Sequence, residues 1–175
     1  MNDFKTSNEI GSVYQDIISR ELLKVGIVIQ CHTSKFMQLN YGENPQGIEI
    51  KYDSKVETTN NIFFEFEAIN KKGDKFVKGG IEKEDNAWLY VDGNGKECWI
   101  FAKNQLKTLY AKVKKNPLSY REKGITIRAH IDKDTQQPTA HGMVVSLDYI
   151  NENNLAINHL VFGKDYTQWI INTTL

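Results

Sequence analysis

Two short runs of alternating residues, GIEIKYD at 47–53 and NIFFEFEAI at 61–69, decide the fold expected of this chain. In each run apolar residues occupy every second position, so one face of a strand is apolar and the other carries charge. The charged positions of the two runs are Glu49, Lys51, Asp53, Glu65 and Glu67. Because only a short polar loop separates the runs, we expect an antiparallel pair of strands with the carboxylates close together.

Helical periodicity predicts a helix on each side of this strand pair. Apolar residues recur at helical spacing over 8–25, where Asn8 can cap the helix and Gly26 can end it. Glu21 falls near the middle of that apolar arc, so its carboxylate must have a buried partner or face a polar cleft. Residues 103–115 form a second amphipathic helix with its lysines outward.

Further strands are expected in the rest of the chain. Asp92-Gly93-Asn94-Gly95 lies between two apolar runs and indicates a hairpin. Residues 27–40 begin like a strand, and ITIRAHI and HGMVVSL are strand-like near the end. The sequence therefore predicts an α/β fold: a single domain with a mixed central β-sheet flanked by helices, a core over 8–115 and a C-terminal β/α extension over 118–175.

Length and composition exclude several classes of protein. The 175 residues suit one domain, and 40% hydrophobic with 25% charged residues are ordinary globular values. No stretch approaches the ~18 apolar residues of a membrane span, and the first residues lack the apolar core of a signal peptide. Two cysteines make no disulfide framework, and no Cys/His spacing resembles a zinc site. We expect a cytoplasmic protein with no membrane partner.

Charge is unevenly distributed although the formal net charge is zero. Residues 1–98 hold 12 basic and 16 acidic residues, whereas 99–175 hold 10 and 6. Within 103–128, eight basic residues stand against one acidic residue. This distribution is typical of an acidic metal site beside a phosphate-binding surface, and the alternative is a solvated lysine-rich helix face.

The acidic strand positions carry the expected chemistry. Asp53 on one strand, with Glu65 and Glu67 on the next, would form a cluster of oxygen ligands suited to Mg²⁺ or Mn²⁺. Without a cation, three neighbouring carboxylates would repel one another. A bound divalent ion lowers the pKa of a coordinated water and stabilises negative charge on a phosphate.

This arrangement resembles the PD-(D/E)XK nuclease superfamily, whose members place an Asp at the end of one core strand and an acidic-X-Lys triplet on its neighbour. The resemblance covers roughly 8–115 and implies a restriction-endonuclease-like core and Mg²⁺-dependent hydrolysis of DNA phosphodiester bonds. It implies that Asp53, Glu65 and the main-chain carbonyl of Phe66 bind the metal. Glu67 stands where the superfamily usually has Lys, so Lys51 or Glu67 would orient the attacking water.

A second register exists in the same sequence. Glu49-Ile50-Lys51 is itself an acidic-X-Lys triplet on a strand, so Glu49 and Lys51 can join the Asp53 site or replace Glu65 and Glu67 in it. Glu21 would support the cluster from the first helix.

The predicted partner is DNA, held at its backbone by the basic helix. The lysines assigned to this contact are Lys103, Lys107, Lys112, Lys114 and Lys115. A homodimer is expected, because a single site cuts one strand at a time. Two alternatives remain open: a non-enzymatic phage or plasmid accessory protein that binds through its acidic face, and a DNA-binding protein with a degenerate nuclease fold.

Overall fold

A computed structural model describes residues 3–30, 44–70, 72–132 and 134–172. The helices are α1 (Asp3–Leu23), α2 (Val56–Thr59), α3 (Lys103–Lys115), α4 (Pro117–Arg121), α5 (Leu147–Glu152) and α6 (Thr167–Asn172). The strands are β1 (Ile48–Tyr52), β2 (Asn61–Ile69), β3 (Phe76–Lys78), β4 (Leu89–Gly93), β5 (Glu97–Ala102), β6 (Ile125–Ile131), β7 (Pro138–Ser146) and β8 (Asn158–Val161). A single 3₁₀ turn spans Gly80–Glu82.

Two four-stranded sheets replace the single central sheet that the sequence predicts. The first, called the mixed sheet, has the order β1-β4-β5-β8, with β1 parallel to β4 and the other pairs antiparallel. The second, called the antiparallel sheet, has the order β3-β2-β7-β6. The expected α/β class, with helices beside mixed and antiparallel strands, is confirmed.

The chain divides into two compact units that interleave along the sequence. The first unit comprises residues 1–58, 85–102 and 156–175 and holds the mixed sheet with α1 and α6. The second comprises 59–84 and 103–155 and holds the antiparallel sheet with α3, α4 and α5. The expected division between 115 and 118 therefore lies inside the second unit. In the described ranges, no helix has the length and apolar character needed to cross a membrane.

The core of the first unit lies between α1 and one face of the mixed sheet. Its buried members include Tyr14, Ile17, Ile18, Leu22, Ile48, Ile50, Val91, Cys98 and Ile100. The helix begins at Asp3, five positions before the predicted cap at Asn8, and ends before Gly26, which adopts a φ of +84°. A positive φ costs glycine no side-chain clash, so the predicted helix end is confirmed.

The core of the second unit lies between α3 and β2. The apolar stripe of α3 is buried as predicted, and the Tyr110 ring stacks on Phe66 with ring centroids 4.2 Å apart. The helix runs over Lys103–Lys115, and Pro117 begins α4 directly after it. Proline lacks an N–H and is well placed at the first position of a helix, so it separates the two helices.

The expected antiparallel pair of β1 and β2 is wrong. Among the strands that the structure describes, β1 pairs only with β4, and β2 pairs with β3 and β7. Residues between the two strands form a turn and the short helix α2, whose Val56 is buried, in place of a tight hairpin. Strand pairing depends on which apolar faces can be buried together. Two strands that are neighbours in the sequence therefore do not pair when each buries its apolar face better beside another strand.

Other local expectations had mixed outcomes. The β4–β5 hairpin is confirmed, and Asn94 Oδ1 accepts the N–H groups of Lys96 and Glu97 in its loop. Residues 27–30 form no strand. The remainder of the predicted strand over 27–40, from Cys31 onward, lies outside the described residues.

Candidate functional site

Three strands of the mixed sheet carry polar residues on the face opposite α1. Lys51 on β1 is the register partner of Asp92 on β4, and Asp92 is the partner of Trp99 on β5. Residues at one level of neighbouring strands project to the same face, whereas the adjacent position alternates to the other. Ile50 and Val91, one position before Lys51 and Asp92, are in the core beneath α1.

Asp92 is the most unusual group on this face. Its side chain is buried, with 3% of the residue exposed, and its Oδ1 atom has no hydrogen-bond partner among the residues that the structure describes. Burial raises the pKa of Asp92 well above its ordinary value, the charge of Asp53 raises it further, and Lys51 opposes both effects. An unpartnered buried carboxylate oxygen is costly, because it loses its water without a replacement.

Asp53 extends the pairing of β1 and β4 by one residue. Its backbone N–H donates to the carbonyl of Gly93 at 2.7 Å, and its Oδ1 accepts the N–H of Lys55 at 2.8 Å. Burial raises the pKa of Asp53, although the hydrogen bond from Lys55 acts in the opposite direction. Asp53 therefore has a structural role in the turn before α2 as well as its position beside Asp92.

Glu49 and Lys51, the acidic-X-Lys triplet of β1, pair with each other. Lys51 Nζ lies 2.6 Å from Glu49 Oε1, with Glu49 buried and Lys51 about half exposed. Since Lys51 is also the register partner of Asp92, one ammonium group stands near two buried carboxylates. The structure thus brings together Glu49, Lys51 and Asp53 from the predicted set and adds Asp92.

Within the described part of the first unit, three further buried donors lack partners. They are the Trp99 indole N–H, the Asn94 amide nitrogen and the Tyr14 hydroxyl. Trp99 is the cross-strand partner of Asp92, and Asn94 lies two residues after it. Burial raises the pKa of Tyr14 well above its ordinary value, and Cys98 and Asp92 add to this effect. The end of β4 therefore concentrates polar groups whose hydrogen-bonding capacity is unused.

Asp92 was missed by sequence reasoning. Its place at the start of Asp-Gly-Asn-Gly made it a turn residue in the predicted hairpin, but β4 runs through Asp92 to Gly93. The signal that was available is the apolar run LYV directly before it, which indicates a buried strand continuing into the acid.

Glu65 and Glu67 lie on β2, in the antiparallel sheet, so strand pairing does not bring them to Asp53. The expectation that the two glutamates share a face is also wrong. A β-bulge separates them, and their partners on β7 are the adjacent residues Gly142 and His141, which alternate between faces.

The two glutamates have separate surroundings within the second unit. Glu67 Oε2 lies 3.3 Å from His141 Nδ1, and the His141 ring contacts Phe76 with centroids 4.2 Å apart. Glu65 lies against Gly79, where a Cβ would come within 2.7 Å of Glu65 Oε1. The glycine that this close approach requires is Gly80, which has a φ of +43° and where a Cβ would lie 2.1 Å from the Glu65 backbone carbonyl oxygen.

Glu21 is buried with partners in the first unit. It accepts a hydrogen bond from the Tyr166 hydroxyl and pairs with Lys24 at 2.7 Å. Burial acts to raise the pKa of Glu21, but the hydrogen bonds from Lys24 and Tyr166 outweigh it and the pKa is lowered. These contacts explain how a carboxylate is tolerated in the apolar arc of α1.

The basic helix differs from expectation at its first residue. Lys103 is buried, and its Nζ donates to the carbonyl of Lys83 at 2.8 Å, so its assignment to DNA binding is wrong. The reason is that the first turn of α3 lies against the loop at 83. Lys112, Lys114 and Lys115 are exposed and Lys107 is partly exposed, as predicted for a solvent-facing surface.

Comparison with known proteins identifies no relative of this chain. No family model matches the chain, and no curated protein and no solved structure is significantly similar to it. Among the residues that the structure describes, no three His, Cys, Asp or Glu side chains are grouped so that they could hold a metal ion. The charged groups that the structure brings together at the end of β1 and β4 are Asp53, Asp92, Lys51 and Glu49.

Proposed function

We propose that this chain is a Mg²⁺- or Mn²⁺-dependent endonuclease with a restriction-endonuclease-like core, which hydrolyses DNA phosphodiester bonds at the end of β1 and β4. The observation that supports it is the buried Asp92, whose Oδ1 has no partner beside a second carboxylate, Asp53. A site with unused acceptor capacity and two negative charges attracts a cation.

The ligand chemistry of this pair suits a hard divalent ion. Mg²⁺ is commonly held by one or two carboxylates, with waters and substrate phosphate oxygens completing its coordination. Asp53 and Asp92 would supply the protein ligands, and the substrate phosphate would supply part of the rest. When bound, the ion would lower the pKa of a water and offset negative charge on the phosphate.

The two remaining residues act through charge. Lys51 would place an ammonium group near the scissile phosphate, where it stabilises the negative charge that develops during hydrolysis. The buried Glu49, 2.6 Å from Lys51 Nζ, would hold that side chain in place. The proposal assigns no role to Glu65 and Glu67, whose strand β2 belongs to the antiparallel sheet.

The exposed lysines of α3 would contact the DNA backbone. Lysine is a point-charge phosphate binder, so Lys107, Lys112, Lys114 and Lys115 would contribute affinity without base readout. Cleavage of both strands of a duplex would require two copies of the chain, which is the basis for proposing a homodimer.

The test is cleavage of a supercoiled plasmid with and without Mg²⁺ or Mn²⁺. We expect the wild-type chain to nick or linearise the plasmid only with the metal. Asp92→Asn should lower the rate at least about 100-fold, since even an outer partner of a metal ligand is worth up to about that much. Glu67→Gln is the matched control, a neutralised strand carboxylate that should retain activity.

The remaining outcomes decide against parts of the proposal. Cleavage that is lost in Glu67→Gln and kept in Asp92→Asn would move the site to β2. Absence of cleavage by the wild type, with DNA binding retained, would show a binding protein with a degenerate nuclease fold.

A further inference from the structure

We propose that Arg20, Lys164 and Trp169 form a surface that binds single-stranded nucleic acid. This inference names the substrate class of the proposed nuclease, and it rests on the proposed function only where it connects this surface to the site at the end of β4. The binding itself depends on residues of the first unit that are separate from Asp53 and Asp92.

The surface is built around the buried ring of Tyr166. The Arg20 guanidinium lies 5.1 Å from the Tyr166 ring centroid and 5.6 Å from that of Trp169. Lys164 Nζ lies 4.9 Å from the Tyr166 ring. Two cations and an indole are thus arranged on one tyrosine, while Trp169 keeps 47% of its surface exposed.

The contacts of Arg20 and Lys164 with the Tyr166 ring leave their N–H groups available to a phosphate. A guanidinium that lies over a ring uses its flat face, so its N–H groups remain free to donate to a phosphate. In the described part of the chain, neither Arg20 nor Lys164 forms an ion pair with a carboxylate. Both residues are exposed, so a polyanion can reach them.

The acidic residues closest to this surface in the sequence are already engaged. Glu21 is buried, where it holds the Tyr166 hydroxyl and Lys24. Asp165 accepts the N–H of Thr167 at 2.8 Å and lies 3.8 Å from Lys96 Nζ. Arg20 and Lys164 therefore supply positive charge beside Trp169, which complements a phosphate backbone.

The exposed indole favours a single strand over a duplex. Unpaired bases present their faces and stack on aromatic side chains, whereas the bases of a duplex are already stacked on each other. Stacking tolerates any base, and the neighbouring cations track the backbone between successive bases. A duplex would engage Arg20 and Lys164 but would leave Trp169 without a role.

The surface joins the candidate site through the β4–β5 loop. The Tyr166 N–H donates to the carbonyl of Gly95 at 2.7 Å, three residues after Asp92. A Cβ on Gly95 would lie 2.5 Å from the Thr167 backbone nitrogen, so the first residue of α6 is in close contact with this loop. A strand bound at Trp169 is therefore held beside the loop that follows Asp92.

The experiment is fluorescence anisotropy with a labelled oligothymidine of about 15 nucleotides and a duplex of the same length, in EDTA so that no cleavage occurs. We expect tighter binding of the single strand. Trp169→Ala should weaken that binding about tenfold, and Trp169→Phe should lose less because a ring remains. Arg20→Gln and Lys164→Gln should each lower the salt dependence by about one unit.

Trp88→Ala is the matched control. Trp88 is 60% exposed and its indole N–H donates to the carbonyl of Gln46 at 2.7 Å, but no cation stacks on it among the described residues. Its removal should leave binding of the oligonucleotide unchanged. Equal affinities of the wild type, Trp169→Ala and Trp88→Ala would overturn the surface, and so would tighter binding of the duplex.

The result can be separated from the nuclease proposal. If the wild type binds the single strand through Trp169 but cuts no nucleic acid with Mg²⁺, the surface is retained and the proposed function fails. If Asp92→Asn abolishes cleavage while Trp169→Ala neither binds nor cuts differently from the wild type, the proposed function is retained and the surface fails.

Discussion

Asp92 at the end of β4 and Glu67 on β2 are both strand carboxylates, but of the two only Asp92 has a buried oxygen with no partner among the described residues. Asp92 is buried beside a second acid, and its Oδ1 accepts no hydrogen bond. Glu67 is partly exposed and lies 3.3 Å from a ring nitrogen of His141. A ligand bound to Asp92 would therefore lower the free energy of the folded chain. Glu67 is partly exposed to solvent and already has a partner, so a ligand there would gain less.

The difference shows what distinguishes a candidate site from an acidic surface. Carboxylates at alternating positions of a strand are common wherever a sheet face is solvated. Burial without a partner is uncommon, because each such group costs about 1–3 kcal/mol of stability. If the two carboxylates differ in this way, removal of their charges should have different effects on metal binding and on stability.

The largest effect is expected from a divalent ion. If Asp53 and Asp92 bind Mg²⁺ or Mn²⁺, a concentration 100 times the dissociation constant should stabilise the wild-type chain by about 2.7 kcal/mol. The measurement is thermal or chemical unfolding with and without the ion. Asp92→Asn should lose the stabilisation and Glu67→Gln should keep it; the same shift in all three proteins would place the ion elsewhere.

A smaller effect is expected without metal. Asp92→Asn removes a buried charge that Lys51 offsets only in part, so at pH 7 it should raise the free energy of unfolding by about 1–2 kcal/mol. Glu67→Gln loses a partly exposed pair with His141 and should change stability by less than about 1 kcal/mol. Denaturant unfolding in EDTA measures both, and a destabilised Asp92→Asn would contradict the account of Asp92.

The pH dependence of that difference has a definite sign. The folded pKa of Asp92 lies above its unfolded value, so between the two values the folded chain binds more protons than the unfolded chain. The contribution of Asp92 to the free energy of unfolding therefore falls as pH rises through this window. The advantage of Asp92→Asn should be absent below the unfolded pKa of about 3.9 and should grow as the pH rises above it.

The smallest effect is expected at the lysines of α3. Like the two carboxylates, these lysines include a buried side chain and side chains that face solvent. Lys103 is bonded to the Lys83 carbonyl, whereas Lys107 and Lys114 face solvent to different degrees. Charge reversal of Lys107 and Lys114 should reduce the salt dependence of DNA binding by about one unit for each lost phosphate contact. Lys72→Glu, a change at an exposed lysine outside this helix, is the control; an equal loss there would indicate nonspecific charge.

Part of the candidate site was predictable and part was not. Glu49, Lys51 and Asp53 follow from the alternation of one strand, and they lie on or directly after β1. Asp92 could not be assigned in the same way, because the hairpin signal that contains it describes only the local turn. The burial of the Asp92 side chain depends on contacts with residues that are distant from it in the sequence.

By itself the sequence determined the elements that short-range rules control. The amphipathic helix over Lys103–Lys115, the β4–β5 hairpin and the end of α1 before Gly26 each depend on a few neighbouring residues, so periodicity and turn chemistry were sufficient. Only the tertiary structure decided that β1 pairs with β4, that β2 belongs to a second sheet and that Asp92 is buried without a partner. The physical reason is that strand pairing and desolvation are set by contacts between residues distant in the chain, and local preference does not encode these contacts.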